Sequence, residues 1–198
     1  MKITKHINEE DKQILKKLLQ RKGLDQLQDD TMLRLEEVSE TVVLDRGEFL
    51  FVPGDKATSL YITLEGILKF WYWEDNREEI IFFSLVPSIF FNYHCSFGLA
   101  ESTFYCEACN SVRLIRISKE NYDMLAKNSL DFCHWSMKWM SNQLYHFEMK
   151  MYLRAGSAKK QYEALCSTYP ELIRDMPLQD IASYLKITPQ YLSKLRRK

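Results

Sequence analysis

Glycine and proline are scarce, six and five among 198 residues. Collagen-like and low-complexity architectures are thereby excluded. Neither charge sign is in excess, with 27 Lys+Arg against 27 Asp+Glu, so a uniformly basic nucleic-acid coat is excluded too. The opening MKITKHINEEDK is polar; it predicts a helix start and no secretory leader. One run without acid, Lys or Arg spans Ile80–Ala100, but it carries Pro87, Asn92, His94, Gly98 and three serines. A lipid-buried helix would bear those at high cost, so buried strands joined by a loop are predicted instead.

Histidine is also rare: His6, His94, His134 and His146, with no H-x-H. No P-loop, G-x-S-x-G or paired-acid signature is present, so the sequence offers no catalytic residue, no metal ligand set and no cofactor site. The five cysteines are an odd number. Without a leader they predict reduced thiols and a cytoplasmic protein. Cys106-Glu-Ala-Cys109 is a C-x-x-C without a second pair, where a structural zinc site needs four ligands. Two thiols in a strand are expected there.

What is present suffices for a core: 46% hydrophobic and 27% charged residues, in a length ample for two domains. Two helices are predicted in 9–38. The first runs Glu9–Gln20, carries Ile14, Leu15, Leu18 and Leu19, and ends at Gly23. The second is capped by Asp29 or Asp30 and carries Met32, Leu33 and Leu35. Over 40–117 the period changes to short β-branched and aromatic runs. Turn signals separate them at Asp45-Arg46-Gly47, Pro53-Gly54-Asp55, Glu65-Gly66 and Asp75-Asn76. That spacing is the pattern of a sandwich or jelly roll. An aromatic loop follows Pro87, then two strands ending at Ile117. Ser118 caps a short helix, Lys119–Lys127.

Leu130–Ala155 reads as one long helix. Leu130, Met137, Leu144 and Met151 fall seven apart, with Cys133, Met140 and Phe147 three after the first three. This is an a/d seam and predicts a dimer interface. Phe132, Trp135 and Trp139 occupy a different face, suited to packing on the β domain. Short helices are then predicted at Ser157–Thr168, Pro177–Leu185 and Thr188–Arg197. The fold class is α+β: an antiparallel β jelly roll with N-terminal helices, a long dimerisation helix and a small all-α helix-turn-helix domain. The expected domains are 1–128, 129–156 and 157–198.

The net charge of zero hides a gradient. Residues 156–198 carry eight basic and four acidic side chains, and the remainder balances them with net −4. From Lys186 to the end there are five basic residues and no acid. Thr188-Pro189 is a helix start, an N-cap followed by Pro at the first helical position. On that last helix Leu192 and Leu195 share an apolar side, while Gln190, Tyr191, Lys194, Arg197 and Lys198 share a polar, cationic one. The second helix of a DNA-binding helix-turn-helix enters the major groove. Gln190 and Lys194 are then the base readers, able to bond adenine and guanine edges. Arg197 and Lys198 are expected on phosphates. The expected partners are double-stranded DNA and a second copy of the chain, with no membrane.

The order of β domain, long helix and helix-turn-helix resembles the Crp/Fnr family of bacterial transcription regulators. Arg46-Gly47-Glu48, Gly54-Asp55, Leu60-Tyr61, Glu65-Gly66 and the terminal IASYLKITPQYLSKLRRK carry the likeness, from about Leu44 to Lys198. It implies an effector-sensing roll, a dimerising helix, a DNA-reading last helix and RNA polymerase as a further partner. In members that bind cyclic AMP, a phosphate cassette carries a Gly-Glu and an Arg-Ser pair. Those positions here are Asn92-Tyr93 and Ser102-Thr103, and no Arg or Lys lies between Arg77 and Arg113. A buried phosphate there lacks a compensating cation, so an unknown small-molecule effector other than cyclic AMP is expected. Phe83, Phe90, Phe91, Tyr93, Ser102 and Thr103 are the candidate effector pocket, although aromatic residues in such a run also make ordinary core.

The iron–sulfur members use an N-terminal cysteine cluster, whereas the first cysteine here is Cys95. His94 is a lone histidine, read as structural and not as a haem ligand. The family's winged strands do not follow the last helix, as in its shorter members or a truncated chain. Lys186 stands in the helix-turn-helix turn where small residues or Gly are frequent. Two other function classes compete with a regulator. One is a scaffold that binds a protein through its helical end; the other is a cupin-like metalloenzyme.

Overall fold

A computed structural model describes residues 1–20, 24–98, 100–154 and 156–197, without the side chains of Lys150, Leu153 and Arg154. The elements run β1 (Lys2–Lys5), α1 (Glu9–Leu19), α2 (Asp29–Glu37), β2 (Glu40–Leu44), β3 (Phe49–Phe51), β4 (Leu60–Glu65), β5 (Leu68–Glu74), β6 (Arg77–Ser84) and β7 (Ser88–Phe91). They continue with α3 (Tyr93–Gly98), β8 (Tyr105–Ala108), β9 (Val112–Ile117), α4 (Lys119–Asn128), α5 (Leu130–Arg154), α6 (Ala158–Thr168), α7 (Pro170–Asp175), α8 (Leu178–Tyr184) and α9 (Pro189–Arg196). The predicted mixed class with an antiparallel roll is what the chain adopts. Among the described residues no helix is long and apolar enough to cross a membrane.

One sheet has the order β1-β2-β9-β4-β7 and the other β3-β8-β5-β6. Strand β4 pairs antiparallel with both β7 and β9, Ile62 facing Ile89 on one side and Ile115 on the other. Its first five residues are all buried, because both of its faces are covered. Leu60, Ile62 and Leu64 meet the helices, while Tyr61 faces the roll interior, stacked on Phe90 of the neighbouring strand and near the Phe51 ring of the other sheet. The Glu65-Gly66 turn needs glycine twice over. Its φ is +84°, and a Cβ there would lie 2.3 Å from the Ser111 carbonyl oxygen.

The chain divides into two compact units. One is Met1–Phe70 with Phe83–Ser141; the other is Trp71–Phe82 with Asn142–Lys198. In the first, the main core gathers Leu15 and Leu19 of α1, Met32 and Leu35 of α2, and Tyr122 and Leu125 of α4. Phe132, Trp135 and Trp139 of α5 join it, all fully buried. The three α5 rings form a column, with centroids 5.8 Å and 6.1 Å apart. The Trp135 indole N–H donates to the Leu19 carbonyl at 2.9 Å. In the second unit Leu165, Leu172, Ile181, Ala182, Leu185 and Leu192 are buried.

Several local expectations change. The N-terminal segment contains β1, an exposed edge strand paired to β2. The first helix ends at Leu19, before the predicted stop at Gly23, which lies outside the described residues. Leu33 is exposed. Neither Asp29 nor Asp30 caps α2, since both lie in its first turn and Gln28 is the N-cap. The cap comes from elsewhere: Asp131, at the start of α5, accepts from the Gln28 amide at 2.9 Å and the Thr31 hydroxyl at 3.0 Å. The aromatic loop after Pro87 is β7 followed by α3. Asn92 starts that helix by accepting the Cys95 amide on its side chain. Helix α7 was not anticipated, and Pro177 precedes α8 as its N-cap.

The Asp131 cap yields a prediction. Burial pushes its carboxyl up, but the donors from Gln28, Thr31 and the local backbone prevail and hold it below the usual carboxylate value. Asp131→Ala is expected to cost about 1–2 kcal/mol in thermal unfolding at neutral pH. Because the native value is the lower one, this contribution is present above the unfolded-state value and is lost as pH falls through the native one. The stability gap between wild type and variant should therefore close in acid.

Candidate functional site

The helix-turn-helix lies within the second unit. Helix α8 ends in a Schellman motif: the Ile187 amide donates to Ala182 O and the Lys186 amide to Ser183 O, both at 3.0 Å. That motif demands a left-handed residue after the cap. Lys186 supplies it at φ +57°, without glycine's freedom. The turn delivers Thr188, whose hydroxyl accepts from the Tyr191 amide at 3.2 Å and starts α9 with Pro189 in the first turn. Leu192 is fully buried, alongside Ile181, Ala182 and Leu185.

Burial of that stripe turns the opposite side of α9 to solvent. Thr188, Gln190, Tyr191, Lys194 and Arg197 are all exposed. Lys198 lies outside the described residues. Arg196, on the same helix, is tied back: its guanidinium donates to the Ile173 carbonyl at 3.2 Å. The exposed surface is thus polar, cationic and free of acid, borne on a helix whose N-terminus carries a partial positive charge.

The roll interior is the other candidate, and it lies in the first unit. Rings of Phe51, Tyr61, Phe70, Phe90 and Phe104 converge there, with centroid separations of 5.2–6.3 Å. Burial pushes the Tyr61 phenol up to about 12. The candidate pocket residues do not form one lining. Phe90 joins this cluster, whereas Phe91, next along β7, contacts Tyr122, Trp139, Phe97 and Tyr93 on the helical side. Tyr93 and Thr103 are exposed and Phe83 is half-buried. Alternation along a strand enforces this split between Phe90 and Phe91.

Asn92 and Ser102, the buried residues at the cassette positions, bond each other. The Asn92 amide donates to the Ser102 hydroxyl at 2.9 Å, and that hydroxyl donates to Phe104 O at 2.8 Å. Cys106 sits on β8, fully buried, and its burial pushes the thiol well up. Cys109 follows the strand and is half-buried. Reactive cysteines are marked by lowered values and exposure, so Cys106 has the character of a core residue.

On α5 the seam residues Leu130, Met137, Leu144, Phe147 and Met151 are 58–72% exposed. Cys133 and Met140 are half-buried, and Met140 packs against the core. The sequence reading missed Ser183 and the acidic residues of the β5–β6 tip. Their only signal was a Glu-Asp-Asn-Arg-Glu-Glu run that read as a turn.

Residues 41–129 match the cyclic nucleotide-binding domain family. The chain matches no curated protein. FixK2 from Bradyrhizobium japonicum is similar in structure at 18% identity and a TM-score of 0.63, covering 81% of this chain and 83% of that one. DNR from Pseudomonas aeruginosa is similar at 18% identity and 0.58, covering 96% and 87%. The c-di-GMP responsive global regulator CLP from Xanthomonas campestris follows at 18% and 0.61, covering 86% and 90%. Residues 41–129 therefore match the cyclic nucleotide-binding domain family, within a chain that shares its fold with the solved structures of FixK2 and DNR.

Proposed function

We propose that this protein is a homodimeric, sequence-specific DNA-binding transcription regulator and not an enzyme. The observation that carries the reading is α9: capped by Thr188, anchored by Leu192 and presenting Gln190, Tyr191, Lys194 and Arg197 to solvent. Gln190 in the first turn of that helix and Lys194 one turn further on read base edges, and Arg197 and Lys198 meet phosphates. The exposed a/d residues of α5 join two copies, so that two recognition helices address two half-sites. The likeness to FixK2, DNR and CLP supports this assignment through the fold. RNA polymerase is proposed as a further partner of the DNA-bound dimer. The effector is not cyclic AMP, because Asn92 and Ser102 spend their polar groups on each other and on the nearby backbone, and no Arg or Lys stands nearby in the sequence.

Fluorescence anisotropy with DNA from upstream of the protein's own gene tests the reading. Wild-type protein should prefer that duplex over a scrambled one. Gln190→Ala/Lys194→Ala should erase the preference, since each good base contact carries about 1–3 kcal/mol of discrimination. Equal, salt-sensitive binding of all duplexes by both proteins would remove Gln190 and Lys194 as readers.

A further inference from the structure

The second unit joins two stretches of opposite charge. The tip Trp71–Phe82 carries Glu74, Asp75, Glu78 and Glu79 against Arg77 alone, while 156–198 is net +4. The tip reverses at Asp75 and Asn76, both at positive φ, as a tight hairpin turn requires. Strand β6 is the edge of its sheet. Edge strands leave backbone groups open to outside partners.

The partner here is the first helix of the helix-turn-helix. The Ser183 hydroxyl accepts from the Ile80 amide at 3.0 Å and donates to the Glu78 carbonyl at 2.9 Å. One side chain thus satisfies a donor and an acceptor two residues apart on the strand. Three residues on, the Lys186 ammonium forms an ion pair with the Glu79 carboxylate and lies 6.0 Å from the centroid of the Tyr72 ring. Lys186 is the left-handed turn residue and is exposed, whereas the α8–α9 packing stripe is buried.

The first helix of a helix-turn-helix crosses the sugar–phosphate backbone. A lysine at its end is placed for phosphate, and a carboxylate is the protein group that most resembles one. We propose that the acidic tip of the β5–β6 hairpin is an intramolecular competitor of DNA phosphate, docked on α8 through Ser183 and occupying Lys186 until a duplex displaces it. This rests on the DNA-binding function proposed above. The tip sets a threshold: it weakens attachment to arbitrary DNA through charge and leaves base discrimination by α9 untouched.

Full-length wild type, Glu79→Gln and Ser183→Ala are titrated with upstream and scrambled duplexes over a salt series. Both variants should bind both duplexes about three- to tenfold more tightly at low salt. Their salt dependence should steepen by about one phosphate contact, roughly 0.9 in the log–log slope, while the ratio between duplexes stays constant. In wild type, hydrogen exchange at the Ile80 amide should quicken when duplex is added. If wild type binds DNA and neither variant differs from it, or both bind more weakly, the tip does not compete and the proposal falls alone. If no protein binds any duplex at the lowest salt, the DNA-binding assignment falls and takes this proposal with it.

Discussion

Leu144→Glu combined with Met151→Glu is expected to yield a monomer and to lower affinity for a two-half-site duplex by about 100-fold or more. Leu144 and Met151 are 69% and 58% exposed, one heptad apart on α5. Leu130, Met137 and Phe147 extend the same apolar side in water. A surface of that kind marks an interface, and in the homodimer proposed above a second copy of the same helix covers it, as the seven-residue period suits. Glutamates at facing seam positions would bring like charges together across a desolvating contact.

Loss of the dimer removes one of two half-sites. Each mismatched base pair costs about 1–3 kcal/mol, so a missing half-site costs several. Light scattering of wild type and variant gives the oligomeric state, and anisotropy on duplexes with one or two half-sites gives the affinities. Affinity for the single half-site should be unchanged, which separates dissociation from misfolding. A variant that remains dimeric would move the interface off this seam.

Trp135→Ala is expected to cost about 3–5 kcal/mol of stability and to lower Tm by about 10 °C or more. The side chain is fully buried in the column between Phe132 and Trp139, and it touches α1 through the 2.9 Å bond to Leu19 O. Removing it leaves a large cavity and takes the donor from a buried helix-end carbonyl. Trp135→Phe keeps most of the volume and loses the bond, so it should fall between the two. Differential scanning calorimetry on the three proteins checks the order. A Tm for the alanine variant within 2 °C of wild type would show that the column carries little of the stability.

The two residue sets on α5 show how much of each was legible in the sequence. Periodicity separates Phe132, Trp135 and Trp139 from the seam, because residues on a helix keep fixed angular offsets whatever surrounds them. The buried state of the tryptophan face follows that division. The N-caps at Ser118 and Thr188 were legible for the same reason, since each cap bond spans three residues. The left-handed Lys186 belongs with them, set by the two hydrogen bonds closing α8.

The roll interior was much less legible. Phe90 and Phe91 were grouped because both are aromatic, but the pleat sends adjacent side chains to opposite faces. The Asn92–Ser102 bond spans ten residues and depends on how α3 and the loop before β8 fold back. Asp131 caps α2 from 103 residues away. Ser183 and Ile80 are separated by the same number.

The sequence by itself therefore determined the main helices and strands, the turns, the caps at Ser118 and Thr188 and the two-faced character of α5 and α9. Each depends on interactions within one or two helical turns or one hairpin. Tertiary structure alone decided which carboxylate caps α2, what fills the roll and which acidic tip meets Lys186. Those contacts join residues whose separation along the chain carries no local signal, and only the packed fold brings them within reach.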